Sequence, residues 1–226
     1  MLKLSLLDKL ISELDQSLRT VHTLAPTTER QYPAQDLASD KKQSAPNLEP
    51  NERKLNESER KLSARLMRIN HAGEVSAQGL YRGQSLTAKR EDMREQMERS
   101  AMEENDHLNW CERRLNELDS RKSIFGGVWY WGSFAIGAGA GLVGDKWSLG
   151  FVKETEDQVV RHLKEHLEKL PAQDERSRVI LEQMKTDEEH HADVAVEAGA
   201  SQLPLPIRKV FMPLMSKVMT KTAAKL

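Results

Sequence analysis

Four long segments of the 226-residue chain carry apolar side chains at every third or fourth position, and strand-like alternation is scarce. This spacing lines up apolar side chains along one face of a helix. It predicts four helices at about 52–88, 91–120, 147–170 and 174–198, with boundaries uncertain by ~2–4 residues. Short breaks near Lys89 and Pro171 would make two antiparallel hairpins, so we expect an all-α four-helix bundle.

The segment between the two hairpins, residues 123–144, is rich in glycine and has no charged side chain. At ~1.5 Å per residue it is long enough to cross a membrane, but its glycines disfavour a free-standing helix. We therefore expect a long crossover that is buried or interfacial. Ahead of the main domain at 51–200, we expect an amphipathic helix at 1–24 and a proline-rich extended surface linker at 25–50.

The C-terminal tail, residues 201–226, combines an apolar stripe with Arg208 and several lysines, and no acidic residue follows Glu197. This pattern is typical of a basic amphipathic helix that lies on anionic lipid. A helix packed on the bundle would show the same pattern, so the sequence leaves both interpretations open.

The composition limits the classes of partner and compartment. Basic and acidic residues nearly balance, at 34 and 35, so no global field favours nucleic acid. Cys111 is the single cysteine, which excludes an internal disulfide framework and a cysteine-rich metal site. No secretory signal is expected at residues 1–10. We expect a peripheral protein on the cytoplasmic side of the cell membrane.

One carboxylate falls on the apolar stripe of each predicted bundle helix, at Glu74, Glu104, Glu156 and Glu188. In the third of these helices, the phase selects Glu156 and turns Glu154 toward solvent. Burying even one uncompensated carboxylate costs several kcal/mol, so four in a single core require a cationic partner.

Two of these glutamates belong to Glu-x-x-His pairs, Glu104 with His107 and Glu188 with His191, and this spacing puts both members on one helical face. The glutamates of each hairpin lie equally far from its turn, at Lys89 in the first hairpin and Ala172 in the second. Both hairpins therefore bring their carboxylates to a common level.

Six such ligands, rich in oxygen and with two imidazoles, favour iron or manganese over zinc, and shared carboxylates can hold two ions close together. Two iron ions are the leading interpretation. Satisfied polar core groups or surface residues are the alternative. Tyr81 faces inward, either as a core aromatic or near the reacting oxygen, and His162 is either a neighbour of the ligands or a surface residue.

Two runs, Asn70-His71-Ala72-Gly73-Glu74 and Tyr81-Arg82-Gly83-Gln84, resemble the opening motif of the demethoxyubiquinone hydroxylase family. Glu104-Asn105-Asp106-His107 and Glu188-Glu189-His190-His191 resemble its later motifs. The resemblance runs from about Lys61 to the C-terminus and includes the crossover. Relatives commonly have Asp in place of Asn70, a change that could alter a hydrogen bond near the site but removes no ligand.

The resemblance implies a ferritin-like, membrane-associated di-iron monooxygenase that uses O2 to hydroxylate the ring of a polyprenylated methoxy-benzoquinol in ubiquinone synthesis. Five motif residues carry over directly as metal ligands: Glu74, Glu104, His107, Glu188 and His191. Glu156 rests on helical phase. No dinucleotide fingerprint is present, so we expect an external electron donor.

Three other functions are weighed against this one. They are an iron-storing or peroxide-scavenging ferritin relative, a di-iron hydroxylase acting on tRNA, and a membrane-surface scaffold without metal. The basic apolar tail argues against a soluble storage cage. Partner proteins of ubiquinone biosynthesis and a homo-oligomeric state are left open by the sequence.

Overall fold

A computed structural model describes residues 6–22, 28–37 and 55–225, and all regular elements in these ranges are helical. The helices are α1 (Leu6–His22), α2 (Glu57–Thr87), α3 (Glu91–Glu117), α4 (Gly126–Val143), α5 (Asp145–Lys169), α6 (Glu175–Glu197) and α7 (Met212–Ala223). A π-helical turn, Ile207–Phe211, leads into α7. The all-α bundle is confirmed, and α2, α3, α5 and α6 match the four predicted helices to within a few residues.

One helix of each hairpin, α2 in the first and α6 in the second, begins at a well-capped end. Asn56 accepts hydrogen bonds from the backbone N–H groups of Ser58 and Glu59, and the Glu59 carboxylate accepts from the Asn56 N–H. At the start of α6, the Asp174 side chain accepts from the Ser177 N–H at 2.9 Å. These caps satisfy backbone donors that the first helical turn leaves without partners. The hairpins α2/α3 and α5/α6 form as predicted.

The glycine-rich crossover forms α4, which packs along α2 with close backbone contact. A Cβ atom on Gly79 would collide with the carbonyl of Tyr130, and one on Gly137 would collide with the carbonyl of Leu80. Glycine is needed at both positions because any side chain would push the two backbones apart. In the described parts of the chain, no helix has both the length and the apolar character needed to cross a bilayer.

Helix α1 packs on the bundle through its polar face. The Glu13 carboxylate accepts a hydrogen bond from Nε of Arg82 at 3.0 Å, and Glu13, Ser17 and Thr20 are buried. The apolar stripe faces outward, and more than half of each side chain is exposed at Ile11, Leu14 and Leu18. A helix with this orientation leaves an apolar surface uncovered.

Residues 28–37, which we call the N-terminal strap, lie against the bundle. Tyr32 and Ala34 are buried in the same cluster as Trp110, Leu115 and Leu181. This differs from the expected surface linker because two apolar side chains of the segment find places in the core. The rest of the predicted linker lies outside the described residues, and the predicted domain boundaries stay a prediction.

The C-terminal tail both packs on the bundle and presents an apolar face. Met212 and Ala223 are buried, whereas Val210, Leu214 and Val218 are between 44% and 64% exposed. The tail is also tied to α5 by an ion pair between Arg208 and Glu154. The two interpretations left open by the sequence are therefore compatible in this fold.

Candidate metal centre

The predicted ligands of the first hairpin meet one from the second in the middle of the bundle. Glu74 on α2, Glu104 and His107 on α3, and Glu188 on α6 are all at most 2% exposed. One potential ligand atom from each lies within 4.8 Å of the other three. Three helices thus bring four side chains that could hold a metal ion to one point.

Glu104 and Glu188 each turn one carboxylate oxygen toward each histidine. Nδ1 of His107 lies 3.2 Å from Oε2 of Glu104 and 3.0 Å from Oε1 of Glu188. On the other side, Nδ1 of His191 lies 3.2 Å from Oε2 of Glu188 and 3.6 Å from Oε1 of Glu104. Two carboxylates between two imidazoles are the arrangement that can bridge a pair of ions.

The two remaining glutamates lie at opposite ends of this pair. Oε2 of Glu74 is 3.8 Å from Nδ1 of His107. Glu156 is 1% exposed, and its Oε1 accepts a hydrogen bond of 2.6 Å from the Tyr81 hydroxyl. The Tyr81 ring in turn meets that of His191 edge-on, with 6.5 Å between centroids. We call Glu74, Glu104 and His107 the first half-site, and Glu156, Glu188 and His191 the second.

The neighbour of Glu156 does not lie where helical phase placed it. Glu154 was expected to face solvent, but it is 8% exposed and forms an ion pair with Arg208 of the C-terminal tail. The prediction of its exposure was wrong because the tail folds back over this part of α5. The choice of Glu156 as the inward residue agrees with the structure.

Each histidine of the centre contacts, through its Nε2 atom, a carboxylate from the opposite hairpin. Nε2 of His107 lies 2.9 Å from Oδ2 of Asp187, and Nε2 of His191 lies 2.7 Å from Oε2 of Glu103. A carboxylate at Nε2 favours the tautomer that carries its proton there, which leaves the Nδ1 lone pair for a metal. Such contacts also fix the orientation of the ring.

Sequence reasoning missed both of these carboxylates, although a signal was present. In each Glu-x-x-His pair, an acidic residue directly precedes the glutamate, Glu103 before Glu104 and Asp187 before Glu188. Helical phase had excluded Glu103 from the inward stripe. From the edge of that stripe, its side chain reaches across to a histidine of the facing helix.

Burial and neighbouring charges strongly shift the pKa values of the centre. Burial raises the pKa of Glu74 and Glu156 well above the usual range, and Glu104 and Glu188 raise it further. Burial alone would lower the pKa of His191, but Glu103 and Glu188 raise it to about 11. Metal ions bound here would displace the protons that these pKa values favour.

Two carboxylate oxygens provide a direct test of whether metal ions fit. Oε1 of Glu104 and Oε2 of Glu156 are buried and have no hydrogen-bond partner among the described residues. Buried oxygens without a donor are costly unless a cation meets them. Four carboxylates and two imidazoles form a donor set suited to iron or manganese.

The structure does not place His162 beside the ligands. Its Nε2 lies 2.8 Å from the Ser216 hydroxyl of α7, whereas Nδ1 of His166 lies 2.7 Å from the side-chain oxygen of Asn70. His162 thus contacts the C-terminal tail, and its side chain also lines the cavity between α5 and that tail. Tyr81, the other candidate neighbour, does contact the proposed ligand Glu156.

A cavity of about 260 Å³ opens beside the centre, between α2, α4, α5 and the C-terminal tail. Gly73 and Ala77 line it on either side of Glu74 in the sequence, and Thr155 lines it next to Glu156. Most of its other walls are apolar and include Leu80, Trp129, Ile136, Val159, Met212, Met215 and Met219. The carboxylate cluster thus has an apolar chamber next to it.

Comparison with known proteins agrees with this architecture. The family described as Ubiquinone biosynthesis protein COQ7 matches residues 61–223. A protein of Nitrosococcus oceani named 3-demethoxyubiquinol 3-hydroxylase is 53% identical over 221 residues, covering 98% of this chain and 97% of the relative. Proteins of the same name from Nitrosomonas europaea and Acinetobacter baumannii are 50% and 49% identical, over 96% of this chain and 97% and 96% of the relatives. The chain therefore belongs to the COQ7 family of ubiquinone biosynthesis proteins.

Proposed function

We propose that this protein hydroxylates the ring of a polyprenylated methoxy-benzoquinol with O2, as the names of its relatives suggest, and that two iron ions serve the reaction. The observation that carries the proposal is the buried cluster of Glu74, Glu104, His107 and Glu188 beside an apolar cavity. One oxygen atom enters the ring, and the other leaves as water with electrons and protons from a separate reductant. The hydroxylase names of the relatives favour this function over iron storage or tRNA modification.

The proposed ligands form two metal positions, one in each half-site. Glu104 and Glu188, which each face both histidines, would hold the ions together with Glu74 and His107 of the first half-site and Glu156 and His191 of the second. When bound, iron would supply the activation of O2. The four glutamates would contribute negative charge that stabilises oxidised iron, and Asp187 and Glu103 hold the two imidazoles in place.

The cavity would hold the ring next to this centre. Its side chains from α2 and α5 flank Glu74 and Glu156, so a ring in the cavity lies beside the proposed ions. Apolar walls exclude water, which protects the reaction from side products and suits an isoprenoid substituent. These residues thus position the substrate, and the proposed ligands hold the metal that reacts with it.

We also propose that the protein works on the cytoplasmic side of the cell membrane, as a peripheral protein. Apolar side chains are exposed on α1, on α4 and on the C-terminal tail, among them Leu14, Val128 and Val210. Lys209 and Lys217 are exposed on the same tail. Apolar and basic side chains together suit an anionic membrane surface, where a long isoprenoid substrate is dissolved.

The test expresses the chain in cells that lack their own quinol hydroxylase, beside the variant Glu188→Ala. Its matched control is Glu189→Ala, which changes the adjacent glutamate, a surface residue paired with Lys164 at 2.9 Å. Wild type and the control are expected to bind iron and to convert the precursor quinol into a product heavier by one oxygen atom. Glu188→Ala is expected to do neither, because it removes a bridging carboxylate.

Iron per chain and the mass spectrum of the lipid extract are the two measurements, with ¹⁸O2 to show the source of the added atom. The same cells test the location, because a peripheral protein should pellet with membranes and be released without detergent. A wild-type protein without iron, or an unchanged quinol profile, would overturn the proposed activity. Recovery in the soluble fraction alone would overturn the membrane location.

A further inference from the structure

The N-terminal strap reaches the metal centre from outside the part of the chain that matches the family. That match begins at residue 61, whereas the strap comprises residues 28–37. The strap is anchored by buried Tyr32, whose ring is covered by the guanidinium of Arg113 at 4.1 Å, and by buried Ala34. This anchoring holds Arg30, two residues before Tyr32, against α3 and α6.

Arg30 makes charged contacts with one aspartate of each helix. Its Nε lies 2.8 Å from Oδ2 of Asp106 on α3, and its Nη1 lies 2.8 Å from Oδ2 of Asp187 on α6. The backbone N–H groups of Glu29 and Arg30 also donate to Oδ1 of Asp106, at 2.9 and 3.4 Å. The guanidinium is 4.8 Å from the ring centre of Trp110. A planar group with several donors is well suited to join two carboxylates.

Asp187 connects Arg30 to the proposed ligand His107, and Nη2 of Arg30 also lies 3.5 Å from Nε2 of that histidine. The same oxygen, Oδ2, that accepts from Arg30 lies 2.9 Å from Nε2 of His107. Its other oxygen accepts from Gln183 at 2.9 Å. Three donors therefore hold Asp187 in one orientation.

We infer that Arg30 is a positioning residue of the metal centre, which holds Asp187 against His107 and so fixes the orientation of that ligand. The inference rests on the proposed function, because it concerns how tightly the centre holds iron. The second half-site does not use the strap, since His191 is backed by Glu103, which pairs with Arg99 one turn earlier on the same helix.

The test compares Arg30→Gln with Arg113→Gln in the full iron-loaded chain. Both substitutions remove a guanidinium contact of the strap, but Arg113 does not contact Asp187; its contacts are with Tyr32 and with Glu117 at 3.8 Å. Arg30→Gln should fold, because Tyr32 and Ala34 keep their buried places. It is expected to release iron to a chelator about tenfold faster than wild type, as removal of such outer contacts commonly does. Arg113→Gln is expected to release iron at the wild-type rate.

A double-mutant cycle with Asp187→Asn separates positioning from general destabilisation. If Arg30 acts through Asp187, the double variant should release iron no faster than Asp187→Asn alone. Additive effects would overturn the inference, as would equal release rates in Arg30→Gln and Arg113→Gln. Those outcomes leave the proposed function standing, whereas a wild-type chain that takes up no iron would remove both.

Discussion

The hairpins α2/α3 and α5/α6 each contribute one glutamate and one Glu-x-x-His pair, and in each the histidine is held by an acidic residue of the other hairpin. Their surroundings differ. In the first half-site, Asp187 is held by Arg30 of the N-terminal strap, which is 38% exposed. In the second, Glu103 is held by Arg99, which is 81% exposed and lies on the same helix.

A second difference concerns the terminal glutamates. Glu156 accepts a hydrogen bond from Tyr81, whereas the contact of Glu74 is with His107. The ligand pattern is therefore repeated, but the support around it is not. A repeated spacing can be read from each hairpin separately, while the supporting residues come from wherever the chain passes nearby. The two proposed metal positions are thus chemically alike and structurally distinct.

The strongest test of the twofold pattern removes bridging and terminal glutamates in turn. Glu104→Ala should lose both ions, because each of its oxygens faces a different histidine. Glu74→Ala and Glu156→Ala should each retain about one ion per chain, since each removes a ligand from one position. Metal analysis after gel filtration measures this. Equal iron content in all three variants would break the division into two half-sites.

A smaller effect should come from Tyr81→Phe, which affects only the second half-site. The substitution leaves a buried oxygen of Glu156 without its donor, so unfolding of the metal-free protein should become easier by about 1 to 3 kcal/mol. Urea unfolding measures the change. Tyr32→Phe is the matched control, because its acceptor Glu117 keeps contacts with Arg114 and Arg176. Equal losses of unfolding free energy in the two variants would contradict a particular contribution of the hydrogen bond between Tyr81 and Glu156.

The smallest effect concerns a hydrogen bond that joins the hairpins, between His166 on α5 and Asn70 on α2. Burial lowers the pKa of His166 to about 4, below the ~6.5 of an unfolded chain. Between these values the unfolded state binds a proton that the folded state does not, so stability falls as the pH falls. The free energy of unfolding should fall between pH 7.5 and 5.5 by about 1 kcal/mol less in His166→Gln than in wild type. An identical decrease in the free energy of unfolding in wild type and variant would contradict the lowered pKa of His166.

The bundle and the inward carboxylates could be predicted because both depend on local periodicity. Helical phase placed Glu74, Glu104 and Glu188 on the apolar stripe, and distance from the turns placed them at one level. Such inferences need no knowledge of distant contacts, because the spacing along one helix fixes which side chains share a face.

The missed features all depend on contacts between residues far apart in the chain. Glu154 is buried because Arg208 reaches it from the C-terminal tail. His162 turns toward Ser216 of the same tail, 54 residues away. Arg30 lies in a segment whose composition resembles a linker. No periodicity connects such partners, so only the folded structure brings them together.

The close fit of α4 on α2 has a consequence for the cavity that these helices share. The cavity wall formed by α2 and α4 is rigid, because the backbones of these helices are in direct contact at Gly79 and Gly137. The opposite wall carries Met212, Met215 and Met219, whose unbranched side chains change shape easily. Bound molecules of different size would therefore be accommodated by movement of the methionine side chains, while the wall formed by α2 and α4 keeps its shape.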